Sequence, residues 1–167
     1  MTLGRSPGPK KGIVKRLLVR DILCSGCRAC EAACVAVHEG HFGTATARIR
    51  VAKIESVGVD RPRVCQSCFP APCVAECPTG ALFQDETLGA VVLRPDHCIT
   101  CPACGDACAH GMVFIHPATG LPLICDLCEG EPACVERCAT GALRYQEQDG
   151  EEETTCTPDS VGVRVEK

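Results

Sequence analysis

The sequence predicts an α+β fold in which short helices and β-hairpins run between clustered cysteines, and three observations predict it. Seventeen of the 167 residues are cysteine, and sixteen of them fall into four groups of four. A ten-residue phrase is nearly repeated, CVAECPTGAL at Cys73–Leu82 returning as CVERCATGAL at Cys134–Leu143. Aromatic residues make up only 3% of the chain and Trp is absent. Large rings therefore cannot fill the interior, and something else must hold the loops.

The compartment reading narrows what the cysteines do. The opening MTLGRSPGPKKGIVKRLLVRD has no apolar run long enough for a signal-peptide core and no twin arginine. No stretch reaches the roughly 18 uncharged apolar residues that suggest a membrane span. The expectation is a cytoplasmic chain without a direct membrane span, where thiols stay reduced and grouped cysteines hold metal. A net charge of −4 and the scarcity of aromatics exclude a nucleic-acid partner.

Taken in order, the elements follow from apolar runs and glycine breaks. Ile13–Arg20 reads as a strand leading into the first group, Cys24, Cys27, Cys30 and Cys34, spaced C-x2-C-x2-C-x3-C. The C-x3-C segments, such as Cys30–Cys34 and Cys73–Cys77, suit a short helical turn. Thirty residues separate Cys34 from Cys65; this insert carries a strand at Arg48–Ile54 and is the candidate partner-facing surface. The second group is Cys65, Cys68, Cys73 and Cys77. After it, Ala81–Phe83 and Ala90–Leu93 flank a polar turn ending in Gly89, a hairpin. The third group, Cys98, Cys101, Cys104 and Cys108, repeats the first spacing. Met112–Ile115 and Leu121–Ile124 make a second hairpin around Pro117–Gly120. The fourth group is Cys125, Cys128, Cys134 and Cys138, and ATGALRYQ supplies the last strand. CPTGAL, CAHGMV and CATGAL are three copies of one joint, in which a group's last cysteine passes through a glycine into a strand.

Spacing of this kind serves a cubane [4Fe–4S] cluster, whose four irons each take one thiolate. A C-x2-C-x2-C loop wraps three corners, and small neighbours such as Ser25, Gly26 and Ala29 let backbone N–H groups approach the cluster sulfurs. Sixteen ligands make four clusters. A zinc ribbon, with two C-x2-C pairs and no third cysteine, fits less well. Cys156 is left over, a free thiol in the polar run EQDGEEETTCTPDS. No dinucleotide fingerprint or P-loop is present, and HEGH at His38–His41 has the wrong spacing for a zinc-protease helix. His97 and His110 lie beside cysteines but read as solvated or packing residues. No catalytic residue is predicted, and the chain reads as a non-catalytic electron carrier.

With these motifs in view, residues 13 to 146 resemble the four-cluster electron-transfer subunits of the dimethyl sulfoxide reductase B-subunit type. KRLLVRDILCSGCRACEAACVAVHEGHF, RIRVAKIE and CDLCEGEPACVERCATGAL are most similar to the small polyferredoxin subunits of tungsten-dependent aldehyde oxidoreductases. The resemblance implies two ferredoxin-like dicluster units, one inserted in the other at about residues 63–116, that exchange their last cysteines. It assigns Cys24, Cys27, Cys30 and Cys138 to cluster one, and Cys34, Cys125, Cys128 and Cys134 to cluster two. Cys65, Cys68, Cys73 and Cys108 would hold cluster three, and Cys77, Cys98, Cys101 and Cys104 cluster four. Spacing alone is compatible with this but also allows the third and fourth groups to pair. The family's proline after each last cysteine is kept only at Pro78, and Thr100 stands where glycine is usual.

The resemblance further implies partners: a large catalytic subunit, a tungsten–pterin aldehyde oxidoreductase, on one side and a soluble ferredoxin or flavin/NAD subunit on the other. The alternatives are a free polyferredoxin and a relay subunit of a hydrogenase, carbon monoxide dehydrogenase or molybdenum enzyme. A zinc-stabilised interaction module is a further one. Self-association into a longer chain of clusters is an added expectation. Residues 1–12 form a basic tail and 147–167 an acidic one, with a strand-like VGVRVEK at its end.

Overall fold

The computed structural model describes residues 14–148. Residues 1–12, Cys156 and the VGVRVEK run lie outside the described residues. In chain order the elements are β1 (Val14–Val19), α1 (Ala29–Glu39), β2 (Arg50–Ile54), β3 (Val59–Arg63), α2 (Pro72–Ala75), β4 (Leu82–Gln84), β5 (Val91–Leu93), α3 (Ala103–Asp106), β6 (Phe114–Ile115), β7 (Pro122–Leu123), α4 (Ala133–Glu136) and β8 (Leu143–Gln148). The chain is α+β, built of short helices and hairpins. No helix among the described residues is long and apolar enough to cross a membrane.

Four antiparallel two-stranded sheets organise it. β1 pairs with β8, Val14 opposite Gln148 and Val19 opposite Leu143, so the two ends of the described chain are tied together. β4 pairs with β5 and β6 with β7. These two hairpins close in the same way with different chemistry. Asp85 Oδ1 accepts from the N–H groups of Thr87 and Leu88, and Gly89 donates to the Asp85 carbonyl. In the other turn His116 Nδ1 accepts from Ala118 and Thr119, and Gly120 donates to the His116 carbonyl. In each turn one side-chain acceptor satisfies the N–H groups that the reversal leaves open.

Helix lengths follow local sequence. α2 and α4 begin at or just after a proline and end within one turn. α1 runs eleven residues, longer than a single C-x3-C turn, because ACEAACVAVHE is rich in alanine and free of breakers until Gly40, which closes it at φ +69°. α1 packs on α4, and α2 on α3. The buried side chains accordingly form two groups: one around Val35, Ile49, Val51, Val64 and Leu143, the other around Ala71, Leu82, Val91 and Ile124.

The insert holds a hairpin where a single strand was expected. β3, VDRPR, lacks an apolar pattern, and pairing with β2 makes it a strand. Arg50 stands directly opposite Arg63, an arrangement of like charges that is tolerated because each finds a partner elsewhere. Arg50 lies 4.6 Å above the Phe114 ring, and Arg63 donates to the His110 carbonyl at 2.6 Å. Arg61 pairs with Asp21, and Arg48 with Asp126. The hairpin thus braces both buried groups.

A buried carboxylate ties the insert to α1. Glu31 is 2% exposed and accepts the Val51 N–H at 2.6 Å, with Arg28 3.7 Å away. Glu31→Ala would strand that buried N–H and is expected to cost about 1–3 kcal/mol. A lowered denaturant midpoint of the metal-loaded chain would report the loss. Glu31→Gln keeps an acceptor and should recover most of it.

Candidate metal centres

In three of the four groups the last cysteine leads into a turn that brings a backbone N–H onto its own sulfur. After Cys138, the Gly141 N–H bonds the Cys138 carbonyl at 3.1 Å and the Leu143 N–H then reaches Cys138 Sγ at 3.4 Å. Gly141 holds φ +69°, a conformation that favours glycine. After Cys108, Gly111 turns in the same way, at φ +60°, and the Met112 N–H stands 3.3 Å from Cys108 Sγ. After Cys77 the Leu82 N–H acts on the Cys77 sulfur. Two of these joints add a hydroxyl, Thr79 at 3.8 Å from Cys77 and Thr140 at 3.7 Å from Cys138. Cys34 has no such joint. Its sulfur instead receives the Arg48 N–H at 3.3 Å, fourteen residues on. The first part of the insert is therefore a lengthened joint ending on the same contact.

Two cavities collect cysteines from different groups. One is lined by Cys34, Cys125, Cys128 and Cys134. The other is lined by Cys65, Cys68, Cys73 and Cys108. Cys68 is disulfide-bonded, a bond that must be reduced before its sulfur can act as a metal ligand. Cys24 feels the charges of Cys27 and Cys138, and Cys30 those of Cys24 and Cys27. Cys104 feels Cys101 and Cys98. The groups acting on Cys77 are those of its own joint. Cys65 and Cys125, one from each cavity, are close enough for the Cys65 charge to act on Cys125.

Burial sets the acid–base state of these thiols. It pushes Cys134 up to about 12, and Cys30 and Cys73 up to about 11, with neighbouring sulfur charges adding to the rise. A bare thiolate at these positions is costly, and a bound cation relieves that cost. Cys77 and Cys138 go the other way. Burial is the largest single influence and raises both, but the backbone N–H groups of their joints, led by Leu82 or Leu143, together with the hydroxyl of Thr79 or Thr140 outweigh it and draw both below their ordinary value.

The spread of the sulfurs tests which metal group fits. Four sulfurs around one zinc ion, each about 2.3 Å from it, lie about 3.8 Å apart. Among the described residues, the one set of three or more metal-binding side chains with donor atoms all within 4.8 Å is His38, Asp126 and Cys128. Among the described residues no set of three cysteines is that tight, so none is arranged around a single zinc ion. Soft sulfur donors with backbone N–H groups aimed at them suit an iron–sulfur cluster.

Two imidazoles reach these cavities. His38 Nε2 lies 3.7 Å from Cys128 Sγ and 3.5 Å from Asp126 Oδ1. His110 is 9% exposed and lines the other cavity, so it is packed rather than solvated. Burial, and then Arg48 for His38 and Arg63 for His110, lowers both below the ordinary histidine value. His97 sits exposed in the turn before Cys98. No spacing in the sequence marks His38 as the neighbour of a metal ligand, because the cysteine it approaches is ninety residues away.

Comparison with known proteins agrees with this chemistry. Residues 58–148 match the family described as 4Fe-4S dicluster domain. The aliphatic sulfonate oxidoreductase, polyferredoxin-like subunit of Pyrococcus furiosus is 45% identical over 73% of this chain and 70% of its own. Protein NrfC of Escherichia coli K12 is 39% identical over 75% of this chain, which spans 61% of NrfC's length. Among solved structures, a chain of the active site complex BamBC of benzoyl coenzyme A reductase superposes with TM-score 0.50 at 31% identity, over 83% of this chain and 80% of that one.

Proposed function

Because the chain belongs to the 4Fe-4S dicluster domain family and carries [4Fe–4S] clusters, we propose that it is the electron-relay subunit of an oxidoreductase complex, holding four clusters. Each such cluster supplies one-electron oxidation and reduction. The observation that carries the reading is the pair of cavities, each lined by four cysteines drawn crosswise from two groups. They support Cys34 joining Cys125, Cys128 and Cys134, and Cys108 joining Cys65, Cys68 and Cys73. By the same exchange, Cys138 completes Cys24, Cys27 and Cys30, and Cys77 completes Cys98, Cys101 and Cys104. Contact of α1 with α4 and of α2 with α3 supports a dicluster unit of the second and third groups set inside one of the first and fourth.

The neighbouring sulfurs of Cys65 and Cys125 make the two interior sites adjacent, which suits electron passage between the units. Cys27 is exposed, and Ile22 and Ile99, at 86% and 62% exposure, flank the first and third groups. These give the two ends a surface for partners, one a catalytic chain and the other a redox carrier. The insert adds the exposed stretch around Phe42, itself 92% exposed.

For the catalytic partner we favour a tungsten–pterin aldehyde oxidoreductase. The Pyrococcus furiosus relative's name favours a second reading, a sulfonate-oxidising partner. Anaerobic purification of the chain from its own cells tests both. The expected result is about sixteen irons per chain, co-elution with one large chain containing tungsten, and bleaching of the visible absorption when an aldehyde is added. Bleaching by an alkyl sulfonate and not by aldehydes would select the second reading. Elution alone as a monomer would sink the relay-subunit reading in favour of a free polyferredoxin.

A further inference from the structure

We propose that each interior cluster takes a hydrogen bond from one buried imidazole, His38 at the Cys34–Cys125–Cys128–Cys134 site and His110 at the Cys65–Cys68–Cys73–Cys108 site, and that both donors raise the reduction potential there. The inference rests on the cluster assignment made above. It adds two positioning residues, neither of which is a ligand.

The geometry at His38 fixes where its proton lies. Nε2 faces two acceptors, the Cys128 sulfur and Asp126 Oδ1. Asp126 is held in turn, by Arg48 at Oδ2 and by the Cys128 N–H at 3.0 Å from Oδ1. A nitrogen between two acceptors carries the hydrogen, so His38 is an N–H donor beside a cluster ligand. α1 must run past its C-x3-C turn to bring it there, which gives the extra length of that helix a purpose.

At His110 the sign is a missing partner. Its Nε2 is buried with no hydrogen-bond partner among the described residues, an arrangement that costs stability unless something accepts from it. The side chain lines the cavity next to Cys108. Arg63 grips the His110 carbonyl and so locks the joint. His110 also stands two residues after its group's last cysteine. That is the place Thr79 and Thr140 hold in their joints, where each directs a hydroxyl at the sulfur. The same position in three joints thus offers a donor, and in the interior one it is an imidazole.

Reduction adds negative charge to a cluster, and an N–H aimed at its sulfurs stabilises that charge more than it stabilises the oxidised form. Removing a donor should therefore lower the potential of one cluster. EPR-monitored redox titration of anaerobically loaded His38→Leu and His110→Leu, with iron counted first, tests this. Each variant should keep the full iron complement and move one set of signals to lower potential, a different set in each. His38→Gln and His110→Gln, which retain an N–H donor, should restore most of the shift. Full iron with unmoved potentials, or equal shifts for Leu and Gln, would overturn the proposal and leave the cluster assignment standing. Should a Leu variant lose iron, pulsed EPR of the reduced wild-type chain labelled with 15N-histidine decides: coupling to imidazole nitrogen upholds the donors and its absence overturns them. A wild-type chain without iron removes the cluster assignment, and the donors with it.

Discussion

Replacing Cys34 by alanine should remove about a quarter of the iron, and the cluster lost should be the one that Cys134→Ala also loses. Cys34 follows the first group by spacing, but its sulfur lies in the cavity with Cys125, Cys128 and Cys134. The Arg48 N–H holds it there, and burial raises its thiol. A single variant cannot prove crosswise sharing, since any ligand loss removes one cluster. Pairs can. Cys34→Ala with Cys134→Ala should lose no more iron than either alone, because both strike one site. Cys34→Ala with Cys30→Ala should lose about half, because they strike two. If the second pair loses only a quarter, groups keep their own cysteines and the exchange is wrong. Iron analysis alongside EPR of the reduced chain separates these outcomes.

What was legible in the sequence was whatever is local. The hairpins after Cys77 and Cys108 appear within a residue or two of their expected places, because apolar runs and glycine breaks act over four or five positions. The joints were legible for the same reason: one glycine at positive φ and one N–H back to the sulfur fit in five residues. The insert was not. Its hairpin depends on β3, whose residues carry no strand pattern and which is held by β2 and by two arginine contacts to other parts of the chain, Arg61 to Asp21 and Arg63 to the His110 carbonyl. The return of Arg48 to Cys34, and of His38 to Cys128, is set by tertiary packing that no spacing encodes. A signal for α1's length did exist, in the alanine-rich, breaker-free run up to Gly40.

Stripping the metal should unfold the chain rather than leave an empty scaffold. The two buried groups are small, and cysteines form part of both: Cys30, Cys34 and Cys134 in one, Cys73 and Cys104 in the other. Strands of two or three residues, such as β6 and β4, and helices of four have little stability of their own. What joins them is whatever fills the two cysteine-lined cavities. Metal binding in such a chain is folding free energy, so chelation under reducing, anaerobic conditions should abolish the far-UV dichroism of the helices together with the visible absorption, in one transition. Acid should act in the same direction. Loading takes each sulfur as thiolate and releases its proton, and burial has raised Cys30, Cys73 and Cys134 to about 11 or 12. Protons therefore compete strongly for those sulfurs. Cluster retention should fall as pH is lowered below neutral, and structure should fall with it. Dichroism that survives full removal of iron would show that the protein frame folds without its clusters.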